Sequence, residues 1–215
     1  MSRPRILLAD DHALVLEGLA KLIDDQYELV GKVQDGRTLV QVAQEVEPDV
    51  LVVDISLPQL NGLDAARQIV KTVPRAKIIF LTMHADPAYA REAFQIGASG
   101  FLLKRSAAAE LSQAIEAVLK GQTYITPAIA KDLLEIFDHP QLSPSLDKGP
   151  LTVRQREVLQ LVAEGHTTKD MAAMLHVSCK TIEFHRAQIM RILDLHSTAE
   201  LTRYAMSHGL IPPEL

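Results

Sequence analysis

Three carboxylates (Asp10, Asp11 and Asp54), one hydroxyl (Thr82) and one ammonium (Lys104) are the side chains whose chemistry could converge on a single reactive centre. Each closes a short apolar run: residues 5–10, 50–54, 77–82 and 100–104. Continuous apolar runs of strand length suit a parallel sheet covered on both faces. In open α/β sheets the C-terminal strand ends form the ligand-binding edge, so residues far apart in sequence meet there. The three carboxylates and the ammonium sum to a formal charge of −2. Crowded carboxylates raise one another's pKa unless a cation neutralises them. Mg²⁺, which takes oxygen ligands, would bring the sum to zero. A carboxylate beside Mg²⁺ and an ammonium can act as a nucleophile toward a phosphoryl group. Asp54, on the strand expected at the sheet centre, is the candidate nucleophile; the adjacent Asp10 and Asp11 are placed to hold the metal. One strand-end aspartate alone would more simply cap the next helix, whereas five matching residue types argue for a site.

These residues need an alternating β/α framework to position them. A fifth strand candidate, 28–33, completes the set. Between strands, Leu39, Val42, Ala43 and Val46, and again Leu111, Ala114, Ile115 and Val118, show the i, i+3, i+4, i+7 spacing of one helix face. Asp86-Pro87 supplies an N-cap followed by proline at the first helical position, and Gly97 stops that helix. The pattern predicts five βα repeats: an α/β, doubly wound, parallel five-stranded sheet over residues 1–122, followed by a small all-α domain.

The chain of 215 residues has 47% hydrophobic and 23% charged residues, which excludes a mainly disordered protein. Its single cysteine, Cys179, excludes an internal disulfide and a Cys/His zinc spacing. The N-terminus is too short and acidic for a signal peptide, and no apolar run nears the ~20 residues of a membrane span; a cytoplasmic protein is expected. The formal net charge of −5 argues against a general nucleic-acid coat. It is unevenly spread: residues 1–120 carry 13 Lys+Arg and 16 Asp+Glu, residues 151–215 carry 7 of each, and five of the eight histidines lie in the latter.

Residues 123–150 read as a linker with one helix, near 128–137, followed by a Pro- and Ser-rich stretch over 139–150. Beyond it, three [ST]-x-x-[DEQ] capping signatures open helices at Thr152, Thr167 and Ser197. Core candidates at helical spacing are Val158, Leu161, Val162, Met171, Leu175, Val177, Ile182, Ile189, Leu193, Leu201 and Ala205. Residues 165–178 have helix-turn-helix spacing, with Ser178 opening the second helix. Along 179–193, with Ile182, Ile189 and Leu193 inward, Lys180, Thr181, Glu183, Phe184, Arg186 and Ala187 face a partner. Residues 180–191 hold three Lys/Arg against one Glu, a basic stripe fit for a DNA major groove.

Residues 5–120 resemble a CheY-like receiver domain, through Asp10-Asp11, the stretch from Asp54 to Gly62, Leu81-Thr82, and Gly100 to Lys104. The resemblance implies that a sensor histidine kinase phosphorylates Asp54. Mg²⁺ would be held by Asp10, Asp11, Asp54 and the Ser56 backbone carbonyl. Lys104 would pair with the phosphate, Thr82 would move to bond it, and Phe101 would be the aromatic that changes rotamer. Phe101 stands where tyrosine is commoner, and Arg105 where proline is. Ser56 and His84 occupy positions that tune phosphoryl lifetime in such domains.

Residues 151 to about 208 resemble the LuxR-type helix-turn-helix, through the 151–159 segment, Ala163-Glu-Gly165, Lys169, Val177-Ser178, the 180–186 segment and Ile189-Met190. With the receiver, the whole chain resembles a response regulator of the NarL/FixJ subfamily. That implies a recognition helix over about 179–193, with Glu183, Phe184 and Ala187 facing bases and Lys169, Lys180, Thr181 and Arg186 nearer phosphates. The expected protein is a phosphorylation-switched DNA-binding transcription regulator rather than an enzyme. A homodimer is expected when it is phosphorylated or on DNA, and RNA polymerase is a candidate further partner. The alternative is a regulator that binds DNA independently of phosphorylation, its receiver-like domain serving dimerisation. A Mg²⁺-dependent aspartyl-phosphate phosphatase would need a second acid where Ser56 stands. Cys179, at a helix start, is read as a small structural residue rather than a redox switch.

Overall fold

The computed structural model describes residues 3–23, 26–83, 87–130 and 150–211, and the chain forms two compact units. The first runs β1 (Arg5–Ala9), α1 (Ala13–Leu22), β2 (Glu28–Val33), α2 (Gly36–Val46), β3 (Val50–Asp54), α3 (Gly62–Thr72), β4 (Lys77–Thr82), α4 (Pro87–Ile96) and β5 (Gly100–Leu103). A 3-10 turn (Lys104–Ser106), α5 (Ala107–Leu119) and β6 (Tyr124–Ile125) complete it. The sheet order is β2-β1-β3-β4-β5-β6, with every pairing parallel.

The two-residue period of the strands sorts their side chains between two cores. Ile6, Leu8, Val50, Val52, Ile79, Leu81 and Leu102 pack on one face against Leu16 and Leu19 of α1 and Leu111, Ala114, Ile115 and Val118 of α5. The intervening Leu7, Leu51, Val53, Ile78 and Phe80 are equally buried and point to the opposite face. On that side α2 packs on α3 and α3 on α4. Leu39 and Ala43 carry the buried stripe of α2, with Val42 and Val46 at its edge.

Local chemistry sets the helix ends. The Asp35 carboxylate accepts the Thr38 N–H at 2.8 Å to open α2, and Asn61 accepts the Asp64 N–H at 2.9 Å to open α3. Pro87 is the first residue of α4, and Gly97, at φ 107°, follows its end. The Asp86 cap read from the sequence, and His84, lie outside the described residues.

The sheet has six strands where the sequence suggested five. Tyr124 and Ile125, grouped by sequence with the linker, pair with Gly100 and Phe101. Two residues are too few to display strand periodicity, so only the tertiary pairing reveals them. The first unit therefore continues past residue 122. The adjoining Thr126 is fully buried; its hydroxyl donates to Glu110 Oε2 at 2.8 Å and accepts the Leu103 N–H at 3.1 Å. Residues 127–130 are helical, one position earlier than expected; residues 131–149, which hold the rest of the span expected as a helix and most of the Pro/Ser-rich stretch, lie outside the described residues.

The second unit is all helical: α6 (Val153–Ala163), α7 (Thr168–Met174), α8 (Cys179–Leu193) and α9 (Thr198–Ser207). Reciprocal capping boxes open α6 and α9, through Thr152 with Gln155 and Ser197 with Glu200. At the third signature Thr167 Oγ1 accepts the Asp170 N–H, and the Asp170 carboxylate accepts the Thr167 hydroxyl. The expected core is present, with Val177 and Leu193 at its margin. Leu159, Leu210 and Ile211 join it. Leu159 breaks the one-face pattern because α6 packs against both α8 and α9. Among the described residues no helix is long and apolar enough to cross a membrane.

Thr126→Val keeps the shape but removes the hydroxyl, leaving the buried Leu103 N–H without its partner. The expected loss, read by urea unfolding, is about 1–3 kcal/mol.

Candidate functional site

The C-terminal ends of β1, β3, β4 and β5 bring the acid cluster together at one sheet edge. Asp10, Asp54 and Thr82 are buried. Lys104 Nζ lies 2.7 Å from Asp10 Oδ2 and 2.7 Å from Asp54 Oδ2, so one ammonium bridges two buried carboxylates. Burial pushes the Asp54 carboxyl above its ordinary range; Lys104 pulls it back, the Asp10 charge adds to the rise, and the Ser56 backbone N–H on the carboxylate offsets part of it. Burial pulls the Lys104 ammonium down, but Asp54 and Asp10 outweigh it and hold the group above its ordinary value. Asp11 sits at the half-open mouth, where His12 Nδ1 approaches its Oδ1 at 2.6 Å.

Thr82 ends β4 in register with Leu103, beside Lys104. Phe101, the expected switch aromatic, is wholly inside, paired in register with Phe80. The 3-10 turn that follows β5 carries both Lys104 and Arg105.

Gly62 supports this pocket in a way its place in the motif did not reveal. A Cβ there would lie 2.1 Å from the Asp54 carbonyl oxygen. The Gly62 N–H donates to the Ile55 carbonyl at 2.8 Å, tucking the start of α3 under the loop that follows Asp54. The requirement is one of space, because Gly62 is not among the positive-φ residues. His12 likewise joins the pocket although no spacing rule singled it out: one ligand atom each from Asp10, Asp11 and His12 lie within 4.8 Å of one another.

In the second unit Ser178 Oγ accepts the Thr181 N–H at 3.1 Å to start α8. Ile182 and Ile189 fix its inner face. The outer face bears Lys180, Glu183, Phe184 and Ala187, all exposed, with Thr181 and Arg186 half-buried; Lys169 is exposed on α7. Phe184 is 59% exposed, an apolar ring standing in a polar stripe. With Ala187, Gln188 and Arg191 it lines a shallow cavity of about 230 Å³. Arg186 Nη2 donates to Thr198 Oγ1 at 3.1 Å, tying the helix to the start of α9. Gln155, part of the α6 capping box, donates to Gln188 Oε1 at 3.1 Å and so fixes α8 against α6. Cys179 is exposed.

Comparison with known proteins bears on both units. A response regulator receiver domain model matches residues 6–116, and a model of bacterial regulatory proteins of the luxR family matches residues 149–205. Oxygen regulatory protein NreC of Staphylococcus haemolyticus (strain JCSC1435) is 36% identical over 214 residues, covering 96% of this chain and 99% of its own. Transcriptional regulatory protein MctR of Rhizobium johnstonii is 32% identical over 211 residues, covering 96% and 95%. Among solved structures, the Salmonella typhimurium RcsB response regulator is similar at a TM-score of 0.60 and 28% identity, over 96% of this chain and all of that one. RcsB in complex with DNA matches at a TM-score of 0.60 and 28% identity, over 96% and 99%.

An acid pocket on a receiver sheet, joined to a helix-turn-helix, defines the class of DNA-binding response regulators. With relatives matching along nearly its whole length, the chain belongs to the two-component response regulators of the NarL/FixJ type.

Gly62→Ala drives a methyl group into the Asp54 backbone and is expected to destabilise the protein by about 1–3 kcal/mol. Gly18→Ala, in α1 with nothing within 4 Å of the added carbon, should instead be stabilising. Urea denaturation of the two variants checks the contrast.

Proposed function

We propose that phosphorylation of Asp54 by a sensor histidine kinase switches DNA binding by the C-terminal helices, in the cytoplasm. The observation that carries this reading is the single Lys104 ammonium set 2.7 Å from both Asp10 and Asp54. An ion pair that already spans two carboxylates is positioned to shift toward the oxygens of a phosphoryl group formed on one of them.

An oxygen donor set of buried and half-buried carboxylates suits a hard divalent cation. Asp10, Asp11, Asp54 and the Ser56 carbonyl would hold Mg²⁺, which supplies positive charge to the transferring phosphoryl oxygens. The Asp54 carboxylate attacks phosphorus, and the donor's phosphorus–nitrogen bond to the kinase histidine breaks. Lys104 stabilises the charge gathered on the phosphoryl oxygens. Phosphorylation replaces a charge of −1 with about −2 and adds acceptor oxygens. Thr82, at the neighbouring strand end, donates to the new oxygens, and Phe101 changes rotamer with it. Only such differential contacts can bias a two-state receiver.

At the other end of the chain, α8 enters the major groove of double-stranded DNA. Glu183 can accept from a cytosine amino group and Phe184 and Ala187 can touch thymine methyls, while Lys169, Lys180, Thr181 and Arg186 approach phosphates. The complex of RcsB with DNA supports this use of the domain. A homodimer formed on phosphorylation or on DNA would read half-sites about 10 base pairs apart, or a multiple of that. RNA polymerase is a natural further partner of such a complex.

Incubation with a small phosphodonor and Mg²⁺ should add one phosphoryl increment to the intact mass of the wild type and none to Asp54→Asn. An unmodified wild type that is folded and binds Mg²⁺ would count against phosphoryl switching through this pocket. On DNA, Lys180→Ala should weaken binding to all sequences and lower the salt slope by about 1. Phe184→Ala should instead alter the ranking of operator variants in a binding assay, and identical effects of the two substitutions would contradict the assignment.

A further inference from the structure

Gln188 belongs to α8 but has no part in the DNA contacts assigned above. It follows Phe184 by one helical turn and precedes Arg191 by another, and with them and Ala187 it lines the shallow surface cavity. Which end of its half-buried amide is open to a partner is decided in α6. The Thr152 backbone N–H, which can only donate, binds Gln155 Oε1 at 2.8 Å. The capping box therefore fixes the oxygen end of the buried Gln155 amide. Its other end must be Nε2, a donor only, and that group reaches Gln188 Oε1 at 3.1 Å. The Gln188 oxygen is thereby tied to α6. The end of the amide left for a partner is Nε2, whose two N–H groups have no protein acceptor among the described residues.

We infer that Gln188 is a specificity-determining residue on double-stranded DNA, a donor-only reader of one base edge whose polarity is set by Gln155. This rests on the reading that α8 enters the major groove. There guanine presents O6 and N7 and thymine O4, all acceptors, whereas adenine N6 and cytosine N4 are donors. An unconstrained glutamine grips adenine with both ends of its amide, donating to N7 and accepting from N6. Gln188 cannot do so, because its oxygen is committed to Gln155. It favours guanine or thymine over adenine or cytosine at its position. Gln155 touches no base; it is a positioning residue that acts through the amide it orients. Gln155→Glu keeps the capping box but turns the end that meets Gln188 into an acceptor. The Gln188 amide then turns over to donate Nε2 to that carboxylate, presents Oε1 to the groove, and reverses the base preference.

The test is selection from a randomised double-stranded DNA library by the full chain, with and without prior treatment with a small phosphodonor and Mg²⁺, followed by sequencing of the bound fraction. Wild type, Gln155→Glu, Gln188→Ala and the double variant are compared. The wild type should enrich guanine or thymine at one position of its motif by about fivefold or more over adenine or cytosine. Gln155→Glu should reverse that preference there and leave the rest of the motif unchanged. Gln188→Ala should abolish it, and in that background Gln155→Glu should change the motif no further. A merely structural role for Gln155 would weaken binding to all sequences and reverse nothing. An unchanged motif with Gln188→Ala, or an equal loss of affinity for every sequence, overturns the inference and leaves DNA binding by α8 standing. That variant keeps the Gln155 capping box, so it decides the case even where Gln155→Glu fails to fold. A wild type that enriches no sequence in either form overturns the DNA-binding reading and this inference together.

Discussion

The first unit is organised around one ammonium held between two buried carboxylates. Asp10 and Asp54 come from different strands, and each would be costly to bury as a bare charge. Lys104 makes their proximity tolerable, and they in turn keep Lys104 protonated despite its own burial. The triad exists only because β1, β3 and β5 end at the same edge, so sheet order, strand length and helix packing all serve that one juxtaposition. A net negative charge remains there, which is the condition that suits a cation.

Close backbone packing supports the triad from below. Gly62 lets α3 begin directly beneath Asp54, and the Ser56 N–H steadies the carboxylate from the loop between them. On the far side, Thr126 joins the end of β5 to α5 through Glu110, one residue from the site lysine's own strand end. Lys104 is thus set by a strand whose last N–H is fixed by a hydroxyl that lies beyond the fifth helix. The second unit is built on different means. Side-chain caps start its four described helices, and cross-links from Gln155 to Gln188 and from Arg186 to Thr198 hold α8 so that its exposed stripe stays presented.

Charge separates the two units as clearly as fold does. The acid edge of the receiver is a small, buried concentration of negative charge, which suits a metal and a phosphoryl group. The stripe on α8 is exposed and modestly positive in a unit whose charged side chains balance. Its exposed Phe184 departs from the ordinary helix surface, where large apolar rings turn inward.

The strands 28–33, 50–54 and 77–82, the helix faces led by Leu39 and Leu111, the caps at Thr152, Thr167 and Ser197, and the convergent acids were all legible in the sequence. Each is signalled by a local rule of periodicity, capping or strand-end placement, and local rules act over a few residues. The structure alone decided features that depend on partners distant in the chain. The two residues of β6 are defined by their pairing with β5, Leu159 by helices on two sides of α6, Gly62 by the Asp54 carbonyl it must clear, and His12 by the turn that brings its ring onto Asp11. Sequence pattern determined which elements form and which chemistry they carry. Tertiary packing decided the atomic distances, because side-chain and backbone approach is fixed by what lies across the core and not by what comes next in the chain.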